Sequence, residues 1–279
     1  MYAILIATSC EELIMVRELG RGGVLAIAAM LALQVWASDG PAWSYSGKSG
    51  PEQWGKLSRD YLMCELGKNQ SPIDIDRMAV LRTDLRPIEF QYETPLPLTV
   101  IDNGHTLLIP VPEKGNKWRI RAERETFTLV NVHFHAPSEH TDGGNRYPLE
   151  AHFVHRDERG ALAVVGVWFR EGDENPVLAQ ILQAAPEPLP VAKGKEAKGH
   201  REAKRTTNET VDLRALLPKS EGFFRYSGSL TTPPCSEGVR WYVMQEPVPA
   251  SSQQLHRMRE QLKENVRPVQ PLNARRVLE

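Results

Sequence analysis

His133-Phe134-His135, followed shortly by Leu149-Glu150-Ala151-His152-Phe153-Val154-His155, is the part of the chain whose reading decides the fold. Both runs alternate polar and apolar residues, the period of a β-strand, so His133 and His135 project from one face. Residues 136–148 between them contain Gly143-Gly144, which lets the chain return as a neighbouring strand. That return sets His152 opposite the first pair, with Glu150 on its own face. His155 falls on the other face of its strand and reads as structural. Three imidazoles with a carboxylate behind one of them form the donor set of a catalytic zinc site, where three protein ligands leave the fourth tetrahedral position to water. Any one of these histidines alone would read as an ordinary strand residue; the arrangement carries the inference.

Further short alternating or apolar runs cover residues 98–102, 106–110, 118–122, 162–169, 223–226 and 239–245. This spacing predicts a mainly β (α+β) single domain on a large, mostly antiparallel, twisted central sheet. A few short peripheral helices are expected around it. Asn175-Pro176 is an N-cap and first-turn pair before Leu178, Ile181 and Leu182, and Ser251-Ser252 precede the helical stripe Leu255, Met258 and Leu262. Residues 43–76, rich in Gly, Ser, Pro and Trp, read as coil anchored by aromatic side chains.

A chain of 279 residues, 41% hydrophobic and 25% charged, buries a sizeable core, and a net charge of −1 gives no footprint for nucleic acid. Arg17 and Arg21 precede an apolar run over 22–36, and Val35-Trp36-Ala37 offers a small-x-small cleavage pattern. The run is short for a membrane span, which needs about 20 apolar residues. Residues 1–37 therefore read as a signal peptide and 38–279 as the mature domain, an uncleaved anchor being the alternative. Met15 is the more conventional start, so residues 1–14, with Glu11-Glu12, read as an upstream mis-start. Cys64 and Cys235 lie beyond this segment; in an exported chain they read as one disulfide, against two buried free thiols. Residues 186–207 hold Lys193, Lys195, Lys198, Arg201, Lys204 and Arg205 among small and polar residues and read as a flexible basic surface insertion.

Zinc-bound imidazoles donate their second N–H to a fixed acceptor. Glu150 is placed to accept from His152, and Asn131, two residues before His133, to accept from that ring. Leu230-Thr231-Thr232-Pro233-Pro234 offers hydroxyls on a rigid turn, and Ser138-Glu139-His140 a carboxylate close to the ligands in sequence.

Beyond these patterns the chain resembles a known family. The stretch 132–140 and the stretch 147–155 are similar to those of the α-class carbonic anhydrases. So are Trp43-Ser44-Tyr45 with Gly50-Pro51 and Trp54, Gln70-Ser71-Pro72-Ile73, Asn103-Gly104-His105, Gly228-Ser229-Leu230-Thr231-Thr232-Pro233-Pro234 and Arg267-Pro268-Val269-Gln270-Pro271-Leu272-Asn273. The matches run in family order along essentially the whole mature chain. The resemblance implies reversible hydration of carbon dioxide to bicarbonate and a proton, by zinc-hydroxide attack, with one zinc ion per chain. It assigns His133, His135 and His152 as ligands, Glu150 as the acceptor for His152, and Asn265 as the residue whose backbone carbonyl orients His135. Thr231 is implied to take the hydrogen bond of the hydroxide and pass its own to Glu139. His105 is the implied proton shuttle, and Tyr45 part of the solvent network that serves it. Val154, Val164, Leu230, Val239 and Trp241 match the apolar wall for carbon dioxide, with Thr232 beside it. His140 and Tyr226 match a structural hydrogen-bonded pair, and Cys64 and Cys235 the disulfide of exported members.

Two departures stand out. Asn131 replaces a common Gln, one methylene longer, so it is expected to reach His133 less well or through water. Leu108 stands at an often polar position on the wet wall of the cavity. Non-catalytic relatives usually lack a zinc histidine, whereas this chain keeps all three. The expected partner is a small molecule only, without nucleic acid and without a stable membrane anchor after cleavage; a homodimer is compatible with the resemblance. The expected location is the periplasm or the exterior.

Overall fold

The computed structural model describes residues 41–93, 95–188 and 202–279. The expected signal segment and residues 189–201 of the basic stretch lie outside them. Before the sheet, the described residues form 3-10 turns and two single-turn helices, α1 (Trp54–Leu57) and α2 (Met63–Leu66). Trp54, fully buried, anchors this coil by donating its indole N–H to the carbonyls of Ser44 and Ser49, 2.9 and 3.1 Å away.

The strands, in chain order, begin with β1 (Asp74–Ile75), β2 (Glu89–Tyr92), β3 (Leu96–Asp102), β4 (Leu107–Pro110), β5 (Trp118–Ala122) and β6 (Glu125–His135). Next come β7 (Thr141–Asp142), β8 (Asn145–Arg146), β9 (Leu149–Arg156) and β10 (Leu162–Glu171). After helix α3 (Pro176–Ala184) follow β11 (Ala203–Val211), β12 (Phe223–Ser229), β13 (Glu237–Met244), β14 (Val248–Ala250) and helix α4 (Ser252–Leu262). Among the described residues the main sheet has 11 strands, with the path β11-β3-β4-β6-β9-β10-β13-β12; β5 also joins β6, β2 joins β5, and β14 joins β10. Strands β9 and β10 are buried on both faces, which gives β10 a nearly unbroken apolar run, while β9 buries Glu150, His152 and His155 among its apolar residues.

The sheet is antiparallel except that β10 runs parallel to β13 and to β14. Strand alternation carries no signal of direction, so this was not legible in the runs. The basic stretch also departs from a simple flexible insertion. Ala203, Lys204, Arg205 and Thr206 pair with Asp102, Ile101, Val100 and Thr99 of β3, forming an edge strand with mostly exposed side chains. Threonine-rich sequence and a free sheet edge together favour a strand there, whatever the charge of its outer face.

Both helices start as their caps dictate. Asn175 Oδ1 accepts from the N–H groups of Val177 and Leu178, and Ser251 and Gln254 form a reciprocal capping box. The two starts are tied together, since the Gln254 amide bonds both the N–H and the carbonyl of Asn175 at 2.9 and 2.6 Å. The helices pack in the larger apolar cluster; a second cluster, with Val154, Val164, Trp168, Tyr226, Val239, Trp241 and Val243, covers the functional face. Cys64 and Cys235 form a disulfide across 171 residues of chain, a constraint worth about 5 kcal/mol in chain-entropy terms.

His155 sits in the larger core, fully buried, with Nε2 2.7 Å from the Tyr92 hydroxyl. Burial lowers its pKa to about 3, so the folded protein keeps it neutral while the unfolded chain protonates it near 6.5. Its contribution to stability is therefore complete above pH 6.5 and is lost as pH falls toward 3, at about 1.4 kcal/mol per unit. In urea titrations the His155→Gln variant should lose less stability than the parent between pH 6.5 and 4. Parallel pH profiles for the two proteins would contradict this assignment.

Candidate metal centre

The register of three strands builds the site. His133 of β6 is the direct partner of His152 of β9, and His152 in turn of Gly166 in β10. One row away on the same face, His135 pairs with Glu150. In the opposite direction, Asn131, Val154, Val164, Trp241 and Tyr226 form a row across five strands. Rows two residues apart share a face, so ligand candidates and apolar wall look into the same space.

The rings of His133, His135 and His152 have centroids 4.6 to 5.2 Å apart, and one nitrogen of each lies within 4.8 Å of the others. Each ring is held through its other nitrogen by a different acceptor. His133 Nδ1 donates to Asn131 Oδ1 (3.0 Å), His135 Nδ1 to the Asn265 carbonyl (2.8 Å), and His152 Nε2 to Glu150 Oε1 (2.9 Å). These bonds fix the tautomers, so the inward nitrogens are Nε2, Nε2 and Nδ1. Asn131 thus reaches His133 directly, correcting the expectation drawn from its length; the cost is that its own Nδ2, buried, has no hydrogen-bond partner.

The donor set fits zinc. His135 Nε2 is a buried nitrogen without a hydrogen-bond partner, turned toward the other two rings. Burial, reinforced by the neighbouring imidazoles, holds His133 well below the ordinary histidine range and lowers His135 as well. Both rings are thereby neutral, the state a metal ligand requires.

Glu150 is fully buried and accepts four hydrogen bonds. Oε2 takes the N–H groups of Glu139 (2.8 Å) and His140 (2.9 Å), and Oε1 takes the rings of His140 (2.7 Å) and His152. Burial alone would raise its pKa; His140 and His152 outweigh that and hold it well below the carboxylate range. Gly166 makes room for it, because a Cβ there would come within 3.0 Å of Oε1. From His140 the network continues through its Nε2 to the Tyr226 hydroxyl (2.7 Å) and on to Ser71 Oγ (2.8 Å).

Glu139 is also fully buried. Its Oε1 accepts the Arg267 N–H, whereas Oε2 has no hydrogen-bond partner and lies 3.5 Å from His135 Nε2 and 3.9 Å from His152 Nδ1. No hydrogen bond joins Thr231, itself buried, to Glu139 in this structure. Val154, Val164, Val239 and Trp241 pack as one buried cluster with Leu230 against it; Thr232 is half-buried beside them. Leu108 pairs with His133 across β4 and β6 and is itself 8% exposed.

His105 sits in a turn locked by side chains, with Asn103 Oδ1 accepting the N–H groups of His105 and Thr106. Its ring stacks on Trp43, with centroids 3.8 Å apart and planes within 9°, and Tyr45 meets it edge-on at 6.3 Å. Burial, with a contribution from Glu139, pushes the Tyr45 hydroxyl well above its ordinary value and keeps it protonated. Sequence reading quoted Trp43, Ser71, Gln70 and Arg267 within motifs but gave them no role, and it passed over Gly166. An isolated glycine inside an apolar strand was the signal available for the last.

Comparisons with known proteins agree with this geometry. A family model described as eukaryotic-type carbonic anhydrase matches residues 49–279. A carbonic anhydrase of Pectobacterium carotovorum is 43% identical over 259 residues, covering 92% of this chain and 99% of that protein. One from Klebsiella pneumoniae is 41% identical over 263 residues, covering 94% of this chain and 99% of its own. Among solved structures, the α-carbonic anhydrase of Thermovibrio ammonificans, in complex with the inhibitor sulfanilamide, aligns with a TM-score of 0.78 at 46% identity, over 86% of this chain and 100% of that one. With the family model spanning nearly all the described residues and bacterial relatives matching over almost their full length, the chain belongs to the α-class carbonic anhydrases, enzymes that hydrate carbon dioxide.

Proposed function

We propose that the hydration takes place at a zinc ion held by His133, His135 and His152, with the surrounding residues in the roles that follow. The observation that carries this reading is the commitment of all three outer ring nitrogens to separate acceptors, which turns one nitrogen of each ring to a common point. Zinc bound there supplies Lewis acidity, lowering the pKa of a coordinated water to about 7.

The chain supplies the rest. Val154, Val164, Leu230, Val239 and Trp241 offer an apolar surface that receives carbon dioxide and displaces bulk water from the reacting face. Thr231 orients the attacking oxygen by accepting its hydrogen bond and passes its own to Glu139. The bond to Glu139 completes only when the carboxylate turns toward Thr231. Thr232 contacts the bicarbonate product. His105 accepts the released proton and hands it to buffer; the Trp43 stack gives its ring a defined resting place beside Tyr45. Imidazole suits this task because its pKa lies near the operating pH.

The disulfide accords with an exported protein, and among the described residues no helix is long and apolar enough to cross a membrane. We infer an exported enzyme, in the periplasm or outside the cell.

Stopped-flow hydration assays test the division of labour. His105→Ala should lower kcat on the order of 10- to 100-fold in dilute buffer, leave kcat/KM nearly unchanged, and recover with added imidazole. Unchanged turnover in dilute buffer would remove His105 from the shuttle role.

A further inference from the structure

Among the described residues one hydrogen bond reaches the Glu139 carboxylate, from the backbone N–H of Arg267 to Oε1 at 2.9 Å. What holds Arg267 therefore holds Glu139. Its guanidinium is buried, 2% exposed, and lies 5.7 Å over the Trp54 ring. Nη1 donates to Gln70 Oε1 and to the Ser71 carbonyl, both at 2.8 Å, and Nη2 donates to the Cys64 carbonyl at 3.1 Å. None of these acceptors is a carboxylate. A buried cation with no ion pair among the described residues is an expensive brace, and its planar fork can bind several carbonyls at once where lysine cannot.

Gln70 extends the frame to the other side of the site. Its Nε2 donates to the Cys235 carbonyl at 3.1 Å and to Glu237 Oε1 at 3.0 Å. Cys235 closes the turn that carries Thr231, through its own N–H to the Thr232 carbonyl at 2.8 Å. One pair of side chains thus grips the segment that aims Glu139 and the turn that presents Thr231, taking a carbonyl from each cysteine on the way.

We infer that Gln70 and Arg267 are positioning residues for the segment that carries Glu139 and the turn that carries Thr231, an inference that rests on the roles given to Glu139 and Thr231 above. A brace serving stability alone would change folding and leave the chemistry of a folded enzyme intact. A positioning pair acts through Thr231, so its loss should matter only while Thr231 is present.

The test uses the full-length, zinc-loaded enzyme. Gln70→Leu keeps volume and removes all three amide contacts; Arg267→Lys keeps the charge and the backbone N–H and removes the fork. Each should lower kcat/KM for carbon dioxide about tenfold, the low end for partners that orient a site, with zinc still at one per chain and no rescue by imidazole. In a Thr231→Ala background the same substitutions should cost almost nothing. Equal fold losses in both backgrounds, or full turnover in folded, zinc-loaded variants, would overturn the inference. If Gln70→Leu does not fold, Arg267→Lys carries the cycle by itself. Full turnover in Thr231→Ala alone would instead remove the reading underneath it.

Discussion

Replacing His135 by alanine should abolish carbon dioxide hydration, with turnover falling by at least about 10³-fold, because Lewis acidity and the nucleophile both depend on the metal. The substitution removes the ring whose Nε2 is buried without a partner and whose Nδ1 is fixed on the Asn265 carbonyl. Zinc content, measured by atomic absorption after dialysis, should drop below one per chain. Chelation of the parent enzyme should produce the same loss, reversed by added zinc. A variant that keeps full zinc and fast turnover would show that the ion sits elsewhere. The second metal-competent group, His140, Glu150 and His152, would be the next to examine.

Glu150→Ala should be the most destabilising single change in the site. It leaves two backbone N–H groups and two imidazole N–H groups without their acceptor in a fully buried region. Breaking a buried charged network of this kind costs about 3–5 kcal/mol. His152 also loses the partner that fixes its tautomer, so zinc affinity should weaken about 10- to 100-fold. Urea midpoints and zinc competition titrations measure the two effects separately. The acid limb of stability offers a further check. A carboxylate held below its unfolded pKa of 4.5 stabilises the fold above that pH and ceases to do so as pH falls through the depressed value. Glu150→Ala should lack that limb, and a variant as stable as its parent would refute the network's importance.

Much of this was legible in the sequence, for physical reasons that differ by element. Alternation over β6 and β9 is a direct consequence of pleating, so the shared face of His133, His135 and His152 followed from counting residues. The caps of α3 and α4 were equally plain, since Asn175-Pro176 and Ser251 carry their function in local chemistry. The parallel pairing of β10 with β13 was hidden, because direction depends on connections and leaves no mark on a strand's own composition. Strand β11 was masked by its charge, which describes only its outer face. The reach of Asn131 was misjudged because side-chain length alone does not set its distance to His133, which is 3.0 Å. Arg267 was quoted as a motif letter; its task depends on contacts with Gln70 and Cys64, roughly 200 positions earlier in the chain.

The direct pairing of His133 with His152 has a consequence for how the enzyme is made. Two of the three proposed ligands lie on β6, and the third joins them through the pairing of β9 with β6 in this register. A slip of one residue would turn every side chain of β9 to the opposite face and leave the ion with half a coordination sphere. On the proposed ligand set, a zinc ion would find all three imidazoles only in chains whose β9 has paired with β6 in this register, so zinc content would report correctly assembled sheet.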